Sequence, residues 1–229
     1  MKMNNQPKVG AIIVAAGSSR RMGGIDKVFV PLGGKPILAR VIDTFQKCKL
    51  VDQIVVVVNA KNIEKCRKLV AEERWSKVSD VCAGGRRRQD SVAAGLKLLN
   101  CQWVVIHDGA RPLVTKDLIE RGLEAAEETG AAIAAIPVTD TIKVAGDDRI
   151  VRQTPPRQNL WAVQTPQVFR FDIIARVYEQ TKGEVTDDAS LVERLGYKVK
   201  LYMSAYDNIK ITNSDDLALA EVLLKKHGK

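Results

Sequence analysis

The chain has 229 residues, 45% apolar and 28% charged, the profile of a globular protein with one well-buried core or at most two small ones. Lysine and arginine exceed aspartate and glutamate by 36 − 27 = +9, which favours anionic partners such as phosphorylated metabolites, nucleic acid or acidic membrane surfaces. Four Phe and four Tyr, none interleaved with the basic runs, argue against a stacking platform for single strands, and no stretch approaches the ~20 apolar residues of a membrane helix.

Lys2 and Lys8 precede an apolar stretch, Val9 to Ala16, that is short for a secretory leader and is followed almost at once by Arg20-Arg21. A first buried strand explains it better, in a cytoplasmic protein. The next turn, "AAGSSRRMGGIDK" (residues 15–27), lacks the Lys-Ser/Thr pair of a Walker A loop and the G-x-G of a dinucleotide fingerprint. Its small residues still let backbone approach a ligand, successive N–H groups can form an anion nest, and Arg21 and Lys27 add cations suited to a polyphosphate. Read alone, it serves equally well as a solvated basic turn.

Pro36 then opens a helical stripe of Ile37, Leu38, Val41, Ile42 and Phe45. Continuous β-branched or apolar runs follow at Gln53–Asn59, Asp80–Ala83, Trp103–His107, Ala131–Val138 and Lys198–Ser204. Continuous rather than alternating runs suit strands covered on both faces. "AGGRRRQDSV" (83–92) predicts a second Gly-rich turn and a helix capped near Asp90 or Ser91. "VVIHDGARP" (104–112) places Asp108 just beyond a strand, where a carboxylate could hold Mg²⁺ on a nucleotide. His107 reads as a satisfied strand-end histidine, and Arg86-Arg87-Arg88 as a solvated loop or phosphate rim.

Leu118, Gly122, Leu123 and Ala126 give a further helix, stopped by Gly130. Residues 141–154 interrupt this rhythm with two short strands around Gly146-Asp147-Asp148, a hairpin signal. A β arm spanning about 139–160 fits, and its free edges invite a second subunit. "DNIKIT" (207–212) adds Asp207 and Lys210 after the last strand, before a helix beginning near Ser214. Cys48, Cys66, Cys82 and Cys101 form no C-x-x-C pair or Cys/His cluster, so four thiols in a reducing compartment are expected and a zinc site is not. The βαβ alternation predicts an α/β protein with a mainly parallel sheet, whose four polar turns gather at one edge as a ligand site.

At this point the chain resembles the 2-C-methyl-D-erythritol 4-phosphate cytidylyltransferase family, from about Val9 to Leu224. The resemblance rests on A-A-G-x-x-R-R-M, G-G-x-x-R-x-D-S-V, H-D-G-A-R-P, D-T-I-K, L-W-A-V-Q-T-P-Q, T-D-D-A-S and D-N-I-K-I-T in order. It implies a single Rossmann-like nucleotidyltransferase domain over residues 1–229 with a protruding, dimerising β arm. It also implies a reaction in which the acceptor's phosphate attacks the α-phosphorus of CTP and expels pyrophosphate. A phosphate monoester with a second pKa of about 6 needs no strong base, so the work is electrostatic.

By the same resemblance, Arg21 and Lys27 stabilise the transition state and Lys210 assists at the α-phosphate. Ala15, Ala16 and Gly17 line the nucleotide, Gly85 and Ser91 read the cytosine, and Gly109 lies near the ribose. Asp108 serves metal and substrate, with Asp207 a weaker metal candidate that could equally be a turn-forming residue. Arg111, Thr141, Arg157, Thr165 and Thr186 hold the sugar phosphate, Thr141 and Arg157 serving the partner subunit's site. Acidic residues also occur in the family at positions 86 and 87, so Arg86 and Arg87 are a departure. A cytidylyltransferase for ribitol 5-phosphate, or one using another base, shares the same loops. Binding of nucleic acid is disfavoured because the basic residues track the expected phosphate loops.

Overall fold

The computed structural model describes residues 8–17, 26–180, 185, 187–226 and 228. Arg21 and Thr186 therefore lie outside the described residues. Strand β1 (Val9–Ala15) starts the chain's central sheet and is followed by a two-stranded ribbon, β2 (Pro31–Leu32) and β3 (Lys35–Pro36). Helix α1 (Ile37–Lys47) begins directly after Pro36, and its apolar stripe is fully buried. Then come β4 (Gln53–Val58), α2 (Ile63–Glu73), β5 (Val78–Ala83), α3 (Arg88–Leu96), β6 (Trp103–Asp108), α4 (Lys116–Glu127) and β7 (Ala131–Pro137). The remainder is β8 (Val144–Ala145), β9 (Val151–Gln153), β10 (Trp161–Arg170), α5 (Phe171–Gln180), α6 (Asp188–Arg194), β11 (Lys200–Met203) and α7 (Ser214–Lys226).

Among the described residues, seven strands form one sheet in the order β11-β7-β10-β6-β1-β4-β5. β10 runs antiparallel to both of its neighbours, and the other pairings are parallel. Alternation along β1 explains the layers. Ala11, Ile13 and Ala15 pack with α1 and α4, including Phe45 and Ile119, while Ile12 packs on the opposite face with Val92 of α3 and Ile174 of α5. Burying each such large side chain contributes about 1.5–3 kcal/mol. The pleat thus requires apolar residues at both parities, which is why β1 and β4 read as unbroken runs.

The stop signal after α4 behaves as the sequence implies. Gly130 has φ +81 and donates its N–H to Ala126 O at 2.7 Å. Two expectations need correction. The third helix starts at Arg88, with Arg87 as its cap, and Asp90 lies inside the first turn, where its carboxylate accepts from Arg87 N at 3.0 Å. β10, a ten-residue central strand, was not anticipated from "LWAVQTPQVF". Its proline is accommodated because the register with β7 shifts between Val163 and Gln167, where Pro166 need not donate to a ladder.

The segment that breaks the βαβ rhythm forms a separate two-stranded antiparallel sheet, β8 with β9, with exposed residues throughout. The four cysteines are unpaired, with Cys48, Cys66 and Cys101 buried, and burial pushes the Cys66 thiol up to about 12. Among the described residues, no helix is long and apolar enough to cross a membrane.

Candidate active site

Parallel strands point their carboxyl ends to one edge, and the loops leaving β1, β4, β5 and β6 meet there around a cavity of about 630 Å³. Ala15, Ala16 and Gly17 form one wall, and Gly85 and Ser91 another. Lys27, Asp108 and Lys210 bring charge to the space, as do Arg86, Arg87 and Arg88. Close packing explains the small residues. A Cβ on Gly84 would stand 2.3 Å from Ala16 Cβ, so the β5 turn can lie against the β1 turn only as glycine. Ser91 fixes the same turn, its hydroxyl accepting from Gly85 N and donating to Arg87 O, both at 3.2 Å.

Asp108 is the centre of the site's charge. Its Oδ2 meets Lys210 Nζ at 2.7 Å and lies 3.8 Å from Arg111 Nε, while its Oδ1 accepts from Arg88 Nε at 3.3 Å. Burial alone would push the carboxyl pKa up, but Arg88, Lys210 and Arg111 together outweigh it and hold the group well below the usual carboxylate range. Arg111 in turn donates to Asn208 O at 2.7 Å, so the β6 and β11 turns share one charged seam. Lys27 donates to Ile211 O at 2.9 Å and so leans toward the same turn.

Under Asp108 lies a fully satisfied pair. His107 Nε2 lies 3.2 Å from Arg111 O and must donate to that carbonyl, which leaves Nδ1 to accept from the Thr165 hydroxyl at 3.0 Å. The same hydroxyl accepts from Asp108 N at 3.1 Å. Burial pushes the imidazole down to about 4, so the ring stays neutral at pH 7.

Of the residues expected from sequence, Ala15, Ala16, Gly17, Lys27, Gly85, Ser91, Asp108 and Lys210 line the cavity. Gly109 is packed beneath it, where an added Cβ would stand 2.9 Å from Ala15 Cβ, and its neighbour Ala110 faces the space. Arg111 and Thr165 brace Asp108 from behind. Asp207 is half-buried in the β11 turn, and its carbonyl accepts from Ile209 N at 2.7 Å. Thr141 and Arg157 sit exposed on the arm, Arg157 donating to Thr139 O at 2.6 Å. Arg88 is the residue that sequence reading underrated. It is no solvated rim charge but bonds inward to two carboxylates. The signal was available, since G-G-x-x-R-x-D-S-V contains it.

Among the described residues, no three His, Cys, Asp or Glu side chains gather into a metal cage. The donor set is one carboxylate already faced by three cations. That fits a Mg²⁺ carried mainly by a substrate's own phosphates, and not an ion held by protein alone.

A glycine-walled, cation-rich cavity at the carboxyl edge of a doubly covered sheet defines an α/β nucleotide-binding protein. The comparisons with known proteins narrow the class. The family model described as 2-C-methyl-D-erythritol 4-phosphate cytidylyltransferase matches residues 9–226. A protein of that name from Dehalococcoides mccartyi (strain 195) is 53% identical over 220 residues, 96% of this chain and 97% of the relative. One from Alkaliphilus oremlandii is 46% identical, covering 97% and 98%. The crystal structure of 4-diphosphocytidyl-2C-methyl-D-erythritol synthase from Anaerococcus prevotii superposes with a TM-score of 0.86 at 33% identity, covering 95% of this chain and 96% of that one. The chain belongs to the 2-C-methyl-D-erythritol 4-phosphate cytidylyltransferase family and is a nucleotidyltransferase.

Proposed function

We infer that the protein transfers CMP from CTP to 2-C-methyl-D-erythritol 4-phosphate, giving 4-diphosphocytidyl-2-C-methyl-D-erythritol and pyrophosphate in non-mevalonate isoprenoid precursor synthesis. The observation that carries this reading is the convergence of Lys27, Lys210 and Asp108 on a glycine-walled cavity in a member of that family. An oxygen of the acceptor's phosphate attacks the α-phosphorus, a P–O bond forms, and the bond to the β-phosphate oxygen breaks. The nucleophile is already anionic, so no general base is required, and neutral His107 takes no part as one.

The chain's own residues do the rest. Lys27 faces the charge that grows on the α-phosphoryl oxygens, Lys210 leaves Asp108 to join it, and Arg21, outside the described residues, is assigned the same stabilising role by the family resemblance. Ala15, Ala16 and Gly17 admit the triphosphate close to backbone. Gly85 and Ser91 border the base, and Gly109 underlies the ribose. Mg²⁺, or another divalent ion, supplies further neutralisation when bound, with Asp108 the residue to hold it and Asp207 a second candidate. The acceptor's phosphate falls to Arg111, Thr141, Arg157 and Thr186, with Thr165 supporting them from behind Asp108, since its hydroxyl proton goes to His107 Nδ1.

The whole chain serves as one domain with an arm, and it works as a homodimer. Ile150 and Val151, 57% and 53% exposed, support that use of the arm as an interface that carries Thr141 and Arg157 to the partner's site. Unpaired thiols support a cytoplasmic location. Pyrophosphate release with CTP and Mg²⁺, in parallel with methylerythritol phosphate and with ribitol 5-phosphate, tests the reading. Release with the first alone is expected, and release with ribitol phosphate alone would overturn the acceptor.

A further inference from the structure

Arg88 stands at a junction that the proposed chemistry leaves without a role. Its guanidinium reaches Asp108 Oδ1 through Nε at 3.3 Å and Asp188 Oδ2 through Nη1 at 2.6 Å. Asp188 is buried and accepts from the Tyr178 hydroxyl at 2.5 Å on its other oxygen. The chain of contacts therefore runs from α5 through the start of α6 and the start of α3 to the end of β6. A second tie, Val185 N to Gln89 Oε1 at 3.3 Å, joins the approach to α6 with α3.

The two oxygens of Asp108 are held differently. Oδ2 faces Lys210 and Arg111, whereas Oδ1 faces Arg88. Lys210 is 40% exposed at its side chain and sits on a turn, so it can leave for a phosphate. Arg88 cannot follow, because its other arm is tied to a carboxylate only 1% exposed. Among the described residues, its Nη2 is buried with no hydrogen-bond partner.

We propose that Arg88, locked by Asp188 and Tyr178, is a positioning residue that keeps the Asp108 carboxylate fixed while Lys210 turns to the nucleotide. This rests on the proposed role of Lys210. It gives Asp188 and Tyr178, neither of which lines the cavity, a share in the rate of transfer. It also makes the α3–α6 junction a unit whose members lose function together.

The test compares wild type, R88Q, D188N, Y178F and the R88Q/D188N double variant. The readouts are kcat with CTP, Mg²⁺ and methylerythritol phosphate, and the Kd for CTP with Mg²⁺ by calorimetry. R88Q and D188N are each expected to lower kcat about 10- to 100-fold with CTP Kd changed less than about threefold, and the double variant to be no slower than R88Q. Y178F, which loses one hydroxyl contact, should lower kcat about two- to fivefold. A wild-type kcat in folded R88Q, or losses that multiply in the double variant, would overturn the proposal. Should R88Q not fold, R88K decides: a point-charge ammonium on a flexible stem lacks the rigid planar fork that holds both carboxylates, so at least a fivefold loss is expected and wild-type turnover overturns it. K210A separates the two ideas. If K210A keeps wild-type kcat while R88Q is slow, the role of Lys210 fails and the hold on Asp108 does not. If K210A is slow and R88Q is not, the present inference fails alone.

Discussion

The strand-end cluster around Asp108 and the β8–β9 arm both carry charge, but they are built in opposite ways. In the cluster, partners come from residues as far apart as Arg88 and Asp188 or Lys210 and Asp108, and burial removes the water that would screen them. In the arm the contacts are local. Arg152 pairs with Asp148 at 2.6 Å, Lys143 bonds Thr154 at 2.9 Å, and Gly146 N meets Ile150 O at 3.2 Å. Its apolar residues Val144, Ile150 and Val151 are at least 44% exposed. The first region fixes its charges within one chain. The second leaves its apolar side exposed, the feature that the proposed dimer would use.

The sharpest way to break this comparison is to remove a cation from the fixed region. Lys27→Ala should lower kcat about 10²- to 10³-fold while CTP Kd changes only a few-fold, since a donor aimed at developing charge acts mainly in the transition state. Equal losses in binding with unchanged turnover would make Lys27 an anchor instead. Next comes the buried imidazole beneath Asp108. Below its ordinary value of 6.5 the unfolded ring takes up a proton that the folded ring refuses until about 4, so stability falls as pH drops through that window. The whole loss is about 3 kcal/mol. His107→Gln, which can still donate to Arg111 O, should flatten that part of the Tm-against-pH curve, and an unchanged curve would remove His107 from the account.

Gly84→Ala probes the packing of the two glycine walls. With 2.3 Å to Ala16 Cβ, it should cost about 1–3 kcal/mol in urea denaturation and weaken CTP binding. A wild-type midpoint would mean the walls are not tight. The smallest effect belongs to the arm. Arg157→Ala should raise the KM for methylerythritol phosphate about tenfold, with CTP Kd and Tm unchanged, because the side chain is exposed and, among the described residues, donates to Thr139 O alone.

The same contrast explains what was legible in sequence. Strand runs such as Val9–Ala15 and the α1 stripe follow from local period, and the cavity's glycines and lysines follow from their place after strands. Arg88 was hidden because three adjacent arginines look alike in one dimension, and only the fold turns one of them inward to Asp188, 100 residues away. β10 was hidden because Pro166 argues against a central strand unless a register break absorbs it. The satisfied state of His107 was anticipated, but its partner Thr165 comes from that same unanticipated strand.

One measurement tests most directly whether the fixed region and the arm belong to different subunits. Lys27→Ala and Arg157→Ala chains, each carrying a different tag, are co-expressed, and the doubly tagged dimers are isolated and assayed with CTP and methylerythritol phosphate below its KM. If the arm serves the partner's site, one site in such a dimer holds both Lys27 and Arg157, and activity should return to about half of wild type. If mixed dimers match the mean of the two single variants, the arm serves its own chain and the division proposed here is wrong.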